Sequence, residues 1–150
     1  MGSLPRSYSF MIVPAGTVVD TDVFSRVFLN QKSTDSRVLA WREALANRRT
    51  LITFQTHAEV LGGARQANWG KPRIAQLIDT LARIPTIHSD GEVVEAYATL
   101  SAQCRAVGHP LHTKIHTGDR WIAACVIAKQ LDLVSGDAIF RDVPNLVVRN

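Results

Sequence analysis

The sequence predicts an α/β protein with a central parallel sheet of about five strands, covered by helices on both faces. Short apolar runs rich in β-branched residues alternate with helical patterns along the chain, which favours a parallel sheet. Acidic residues follow several of these runs, at the positions where ligands bind in open α/β sheets. A length of 150 residues fits one domain with a hydrophobic core. We assign residues 1–16 to an N-terminal leader and residues 17–150 to this domain.

The first half of the chain predicts two strands and three helices. The first strand covers residues 18–20, and a helix begins over 22–28. Residues 37–46 carry apolar side chains at three- and four-residue spacing, which predicts a second helix. The second strand is predicted at 51–54. Thr56 is then a plausible N-cap with Glu59 three residues later, and Gly62-Gly63 is expected to loosen or end that helix.

The second half predicts three more strands and three more helices. A helix is predicted at 72–82, followed by a short strand at 84–87. Ser89 or Asp90 is expected to cap a long helix that Gly108-His109-Pro110 ends. Residues 121–131 are apolar on nearly every side, which predicts a helix buried against the sheet. The last two strands are predicted at 133–135 and 146–148.

Composition excludes several protein classes. Hydrophobic residues make up 46% of the chain and charged residues 20%, which are ordinary values for a globular protein. The longest apolar runs are too short to span a bilayer, and no secretory signal pattern is present, so we expect a cytoplasmic protein. Two cysteines, Cys104 and Cys125, form neither a disulfide framework nor a zinc quartet.

The charge distribution is consistent with a polyanionic substrate. The chain has 17 basic and 13 acidic residues, a net charge of +4. If five acids share one pocket, the remaining surface carries 17 basic against 13 − 5 = 8 acidic residues. A basic body around an acidic pocket suits a polyanion whose reaction requires a metal cation. Net charge alone is equally compatible with a mildly basic protein of another kind.

The five acids are Asp20, Asp22, Glu59, Asp119 and Asp137. Each has an ordinary structural explanation on its own, as a turn residue or as a helix cap. Together they follow strands or begin helices of one parallel sheet, so they can meet at one edge. A divalent cation would relieve the repulsion between them. Oxygen ligands without cysteine favour Mg²⁺ or Mn²⁺, and these ions support in-line displacement at phosphorus.

The histidines and tryptophans give no competing site. His109, His112 and His116 crowd one segment before Asp119, but their spacing matches no zinc pattern. A surface loop is the simpler explanation for them, although His116 is close enough in sequence to Asp119 to reach a substrate. Trp121, on the apolar helix, is expected to belong to the core.

In order along the chain, these motifs resemble a PIN domain, and more narrowly the toxin ribonucleases of VapBC toxin–antitoxin pairs. The resemblance covers about residues 17–148 and departs from the family at Asp22, where the family often has Asn or Ser. Its motifs are Val19-Asp20-Thr21-Asp22-Val23, Ala58-Glu59-Val60-Leu61-Gly62-Gly63, Asp119 to Ala124, Ser135-Gly136-Asp137-Ala138-Ile139-Phe140 and Val143-Pro144-Asn145-Leu146.

The resemblance implies a three-layer α/β/α fold and a metal-dependent endoribonuclease. Asp20, Glu59, Asp119 and Asp137 match the family's acidic quartet, which would bind one or two Mg²⁺ or Mn²⁺ ions, with Asp22 as a further ligand or polar neighbour. Thr21 and Ser135 match small polar residues that line the pocket. The family also implies an RNA substrate, a homodimer and inhibition by a cognate antitoxin. Basic residues considered for phosphate contacts are Arg26, Arg65, Lys71, Arg73, Lys114, Arg120 and Arg141.

Two alternatives remain open on sequence alone. In a haloacid-dehalogenase-like phosphatase, Asp20 would be the nucleophile and Asp22 the acid or base. The chain lacks a convincing pair of Ser/Thr and Lys motifs for that class, and Glu59 and Asp119 would have no role. The other alternative is a binding module that keeps the fold without catalysis, and the intact acidic quartet argues against it.

Overall fold

The computed structural model describes residues 16–150 and contains a five-stranded parallel sheet. The spatial order of the strands is β3-β2-β1-β4-β5, with every neighbouring pair parallel. The first strand therefore lies at the centre of the sheet, where both of its faces can be covered. The strands are β1 (Gly16–Val19), β2 (Arg49–Thr53), β3 (Thr86–Ile87), β4 (Asp132–Val134) and β5 (Val148–Arg149).

Six α-helices and several shorter turns connect the strands within residues 16–150. Helix α1 continues directly into a wider π-helical segment, Ser25–Leu29. There are also three 3₁₀ turns in this part of the chain. Two of them, Pro110–His112 and Lys114–His116, precede the last α-helix, and the third, Ala138–Phe140, follows the fourth strand. The α-helices are α1 (Thr21–Phe24), α2 (Ser36–Leu45), α3 (Phe54–Gln66), α4 (Lys71–Ala82), α5 (Gly91–Val107) and α6 (Thr117–Ala128).

The two faces of the sheet are covered by different helices, which confirms the predicted three-layer α/β/α architecture. Successive residues of a strand point to opposite faces. Val18 accordingly packs with Leu100 of α5 and Ile122 of α6. Val19 packs on the other face, in the cluster built from α1 to α4. All of these side chains are buried, so the centre of the sheet is fixed by apolar packing on both sides.

A buried carboxylate, Asp132, forms ion pairs at the amino end of the central strands. Asp132 begins β4 and is 1% exposed. Its carboxylate accepts two hydrogen bonds from the guanidinium of Arg48, at 3.0 and 3.1 Å, and one from Arg149 Nε at 2.5 Å. Burial raises the pKa of Asp132, but these hydrogen bonds lower it further, so the net shift is downward.

Some predicted boundaries differ from the structure. Strand β1 covers Gly16–Val19, earlier than the predicted 18–20, while the division into leader and domain stays a prediction because residues 1–15 lie outside the described part of the chain. Helix α6 begins at Thr117 and ends at Ala128, earlier at both ends than predicted. Asp119 is therefore in the first turn of α6 and is not its N-cap.

The prediction for the start and end of helix α3 was wrong. Thr53 is the N-cap, and its Oγ1 accepts a hydrogen bond from the backbone N–H of Thr56 at 3.2 Å. Glu59 is thus not the capping partner of Thr56. The helix also continues through Gly62-Gly63 to Gln66, because Val60 and Ala64 pack into the core on either side of the glycines. Within residues 16–150, no helix is both long and apolar enough to cross a membrane.

Candidate functional site

The centre of the candidate site is Asp20, at the carboxyl end of β1. Its Oδ1 accepts a hydrogen bond from the backbone N–H of Val23 at 2.8 Å, so it caps helix α1. Its Oδ2 accepts a hydrogen bond from Ser135 Oγ at 2.5 Å. Asp20 is therefore held rigidly between the first strand and the segment that follows β4.

Burial raises the pKa of Asp20 from 3.8 to about 6, because only 5% of the residue is exposed. The hydrogen bonds from Ser135 and Val23 oppose this rise, while the negative charges of Asp22 and Asp137 increase it. An ionised Asp20 is consequently an unfavourable charge in the absence of a cation. A perturbed carboxyl group in a cleft is a common property of functional sites.

The five acids predicted from the sequence line one open cleft of about 380 Å³ at the carboxyl edge of the sheet. They come from four separate parts of the chain: the β1–α1 junction, α3, α6 and the segment after β4. Fold topology thus brings together side chains that are up to 117 positions apart in sequence, from 20 to 137. The cleft residues are Asp20, Thr21, Asp22, Ser25, Glu59, Asp119, Ile122 and Asp137.

Asp22, Glu59 and Asp119 are each paired with a side chain on their own helix or next to it. Asp22 Oδ1 accepts from Arg26 Nε, and Glu59 Oε2 accepts from Gln55 Nε2, both at 2.9 Å. Asp119 Oδ2 lies 2.9 Å from Nδ1 of His116, the residue that precedes α6. These partners hold the carboxylates at the rim of the cleft.

The acids suit a divalent cation in their chemistry, and they line one cleft. The lining offers carboxylate and hydroxyl oxygens, which are hard ligands preferred by Mg²⁺ and Mn²⁺. In residues 16–150, however, no three His, Cys, Asp or Glu side chains are already close enough together to hold an ion. A bound cation would therefore require some of these carboxylates to move closer together.

The two predicted pocket residues, Thr21 and Ser135, occupy different positions. Thr21 lines the cleft, and its Oγ1 lies 3.0 Å from Oγ1 of Thr56 on helix α3. Ser135 lies below the cleft, where Oγ donates to Asp20 and accepts from the backbone N–H of Asp137 at 3.0 Å. Ser135 is buried and therefore fixes the acids from beneath.

One of the basic residues predicted to contact RNA is buried, and two others contact neighbouring side chains. Arg120 is buried, and its guanidinium donates to the backbone carbonyls of Leu111 and Thr113 and to the hydroxyl of Tyr97. These bonds stabilise the 3₁₀ segment before α6, so a phosphate contact by Arg120 is no longer expected. Arg26 lies at the rim beside Asp22. Arg73 stacks on the ring of Trp69 at 3.6 Å.

The remaining basic residues have exposed side chains. They are Arg65 on α3, Lys71 on α4, Lys114 in a 3₁₀ turn, and Arg141 after the last 3₁₀ turn.

Sequence analysis missed Gln55 and underestimated His116. Gln55 is four residues before Glu59 on the same helix, a spacing that brings two side chains together, so the sequence could have indicated this pair.

The histidine segment forms 3₁₀ turns and is not an irregular surface loop, since His109 and His112 both bond to backbone atoms. Trp121 packs as predicted, stacked on Tyr97 at 3.8 Å and edge-on to Phe54 at 5.5 Å.

Comparison with known proteins identifies the fold. The family model described as PIN domain matches residues 17–146. No curated protein sequence matched the chain. Among solved structures, VapBC2 from Rickettsia felis bound to a DNA fragment from its promoter is similar, with a TM-score of 0.71 and 22% identity over 89% of this chain and 97% of that one.

Two further solved structures give the same result. FitAcB from Neisseria gonorrhoeae is similar with a TM-score of 0.66 and 22% identity, covering 89% of this chain and 96% of that one. VapBC-5 from Mycobacterium tuberculosis, described as a member of the VapBC family of toxin–antitoxin systems, is similar with a TM-score of 0.62 and 25% identity. The match covers 90% of this chain and 98% of that one. These comparisons, at low identity, establish the fold across nearly the whole chain.

Proposed function

Since the chain belongs to the PIN domain family, we propose that it is a Mg²⁺- or Mn²⁺-dependent endoribonuclease and the toxin of a toxin–antitoxin pair. The observation that carries this proposal is the convergence of five acids, from four parts of the chain, on one cleft of a net basic protein. An acidic site needs a cation before it can accept a polyanion, and the basic remainder of the surface favours that polyanion. The reaction would take place in the cytoplasm.

Asp20, Glu59, Asp119 and Asp137 would hold the cation, with Asp22 as a further ligand or a polar neighbour. A bound divalent cation can activate water and stabilise the charge that develops on phosphorus oxygens. Asp20 would be the fixed ligand of this set, because Val23 and Ser135 hold both of its oxygens. Glu59 and Asp119 would complete the site by leaving Gln55 and His116. Thr21 lines the cleft and can donate a hydrogen bond to substrate.

The family match favours a nuclease over a haloacid-dehalogenase-like phosphatase. It covers residues 17–146, including both Glu59 and Asp119, for which the phosphatase alternative has no role. Asp22, which the alternative needs as the acid or base, has a side chain that is 56% exposed and paired with Arg26.

The proposed antitoxin partner is supported by the kind of structures that share this fold. The Rickettsia and Mycobacterium structures are described as VapBC assemblies. A basic side chain from such a partner could enter the acidic cleft and compete with the cation, which is electrostatically favourable. A homodimer of this chain also belongs to the proposal, and size-exclusion chromatography with light scattering would test it.

The experiment that tests the enzyme is a cleavage assay with the purified full chain. End-labelled RNA and para-nitrophenyl phosphate are supplied separately, each with Mg²⁺, with Mn²⁺ or with EDTA. We expect internal cleavage of RNA that requires the metal and is lost in Asp20→Asn. Arg105→Ala, an exposed change near the end of α5 and outside the cleft, should keep the activity, which would show that the loss in Asp20→Asn comes from the cleft.

Two results would contradict the proposal. Hydrolysis of para-nitrophenyl phosphate without RNA cleavage would support the phosphatase. Failure to act on either substrate, with the folded protein and both metals, would support a non-catalytic binding module.

A further inference from the structure

A second surface feature includes Gly136, the residue before Asp137. A notch lined by Arg37, Ala40, Trp41, Gly136, Arg141 and Asn150 opens at the surface there. It adjoins the acidic cleft, because Gly136 lines the notch and the next residue, Asp137, lines the cleft. We call these six residues the arginine notch.

Trp41 and Gly136 hold Arg37 in the notch. The Arg37 guanidinium carbon lies 5.0 Å from the centre of the Trp41 ring, and that ring is buried. A Cβ atom at position 136 would overlap Arg37 Nη2, so only glycine leaves room for the guanidinium in this position. Among residues 16–150, no carboxylate forms an ion pair with Arg37.

Arg141 reaches the same notch from a backbone that His109 anchors. His109 Nδ1 accepts from the backbone N–H of Leu111 at 3.0 Å, which leaves its Nε2 to donate to the carbonyl of Arg141 at 2.7 Å. The Arg141 side chain likewise forms no ion pair with a described carboxylate. Arg37 and Arg141 thus line one notch beside the acidic cleft without an ion-paired carboxylate among the described residues, and their charge is available to an external anion.

We propose that the arginine notch binds a backbone phosphate of the RNA strand, next to the phosphate that lies in the acidic cleft. This inference rests on the proposed function. Guanidinium groups bind phosphate oxygens through paired N–H donors, and an arginine already stacked on an aromatic ring loses little freedom on binding. A strand held by the notch at one point would be drawn across the cleft, where the acids would otherwise repel it.

The test uses steady-state cleavage of a single-stranded RNA oligonucleotide by the full chain, at several salt concentrations. We expect Arg37→Ala and Arg141→Ala to raise KM about fivefold to tenfold with kcat nearly unchanged, since the contact does not change during the reaction. Each should reduce the slope of log(kcat/KM) against log salt by about 0.7, the value for one phosphate contact on a single strand. Arg105→Ala, an exposed arginine near the end of α5, is the matched control and should change neither quantity.

Two further variants separate the contact from a general effect on folding. Arg37→Lys keeps the charge and should keep most of the salt slope. Gly136→Ala keeps both arginines, but its Cβ would displace the Arg37 guanidinium and lie 3.2 Å from the Trp41 ring, so it should raise KM, and its urea midpoint reports any effect of the ring on stability.

The outcomes distinguish this inference from the proposed function. If the unaltered chain cleaves RNA but Arg37→Ala and Arg141→Ala behave like Arg105→Ala, the notch does not bind the RNA backbone and the nuclease proposal stands. If those two variants instead lose only inhibition by an antitoxin, the notch binds protein and the inference is wrong. If the unaltered chain does not cleave RNA with either metal, both proposals fail.

Discussion

Replacing Asp20 by Asn should stabilise the metal-free protein while removing its activity. Asp20 is buried, and its pKa is raised to about 6 first by burial and further by the charges of Asp22 and Asp137. The ionised side chain therefore destabilises the folded state at neutral pH. Asn is similar in size, and its Oδ1 can still accept the hydrogen bond from Val23. Its amide can donate to Ser135 in place of the bond that the carboxylate accepts.

The magnitude follows from the size of the pKa shift. A rise from 3.8 to about 6 is roughly two pH units, and one unit corresponds to about 1.4 kcal/mol. The neutral form of Asp20 thus contributes about 3 kcal/mol that is fully present below pH 3.8 and is lost as the pH rises through about 6. We expect the free energy of unfolding of Asp20→Asn to be about 1–3 kcal/mol higher than that of the unaltered chain at pH 7.5. The gain is less than the full value of about 3 kcal/mol if the amide only partly replaces the hydrogen bond to Ser135.

Urea denaturation in EDTA, repeated between pH 3.5 and pH 8, measures this difference. The stability advantage of Asp20→Asn should be smallest at pH 3.5 and should develop between about pH 4 and pH 6.5. Asp22→Asn is the control, because its side chain is 56% exposed and should give a much smaller change. A destabilised Asp20→Asn at pH 7.5, or a difference independent of pH, would refute the reasoning.

Three other predictions concern the cation and the ionic contacts on which the fold depends. Mg²⁺ at 100 times its dissociation constant should raise the free energy of unfolding by about 2.7 kcal/mol, and Asp20→Asn should lose this gain in the same urea assay. Asp132→Asn should lower the free energy of unfolding by about 3 kcal/mol, because Arg48 and Arg149 lose their carboxylate partner. This loss should shrink as the pH falls through the depressed pKa of Asp132. Equal losses at all pH values would contradict the prediction. Arg120→Met should cost about 2–3 kcal/mol and increase amide exchange in the 3₁₀ segment it supports, whereas unchanged exchange there would contradict its structural role.

The sequence predicted the layered α/β fold, the order of its strands and helices along the chain, and the cleft acids because these depend on local patterns. Apolar runs of β-branched residues set β1 and β4, and the carboxyl ends of parallel strands must meet at one edge. Asp90 and Gly108 are also local signals: Asp90 caps α5 through the N–H of Val93, and Gly108 ends it with a φ of 73°.

The errors arose where packing outweighs local preference. Phe54 has a strand-forming side chain, yet it begins α3 because Thr53 caps the helix and Phe54 packs beside Trp121. Arg120 was counted as a surface charge because a sequence does not show which carbonyls an arginine can reach. Its partners Leu111 and Tyr97 come from different segments, and only the folded chain brings them together. Arg141 was among the basic residues considered for phosphate contacts, but its meeting with Arg37 in one notch was not predicted, for the same reason.

The position of a bound Mn²⁺ ion is the most direct test of the account, since every proposed step depends on acids that share a cation. Crystals of the full chain soaked in Mn²⁺ would show the ion by its anomalous scattering. We expect a peak at coordination distance, about 2.0–2.4 Å, from a carboxylate oxygen of Asp20 and from Asp119 or Asp137. A peak that contacts none of the cleft acids, or no peak at saturating Mn²⁺, would contradict the claim that this cleft is a metal site.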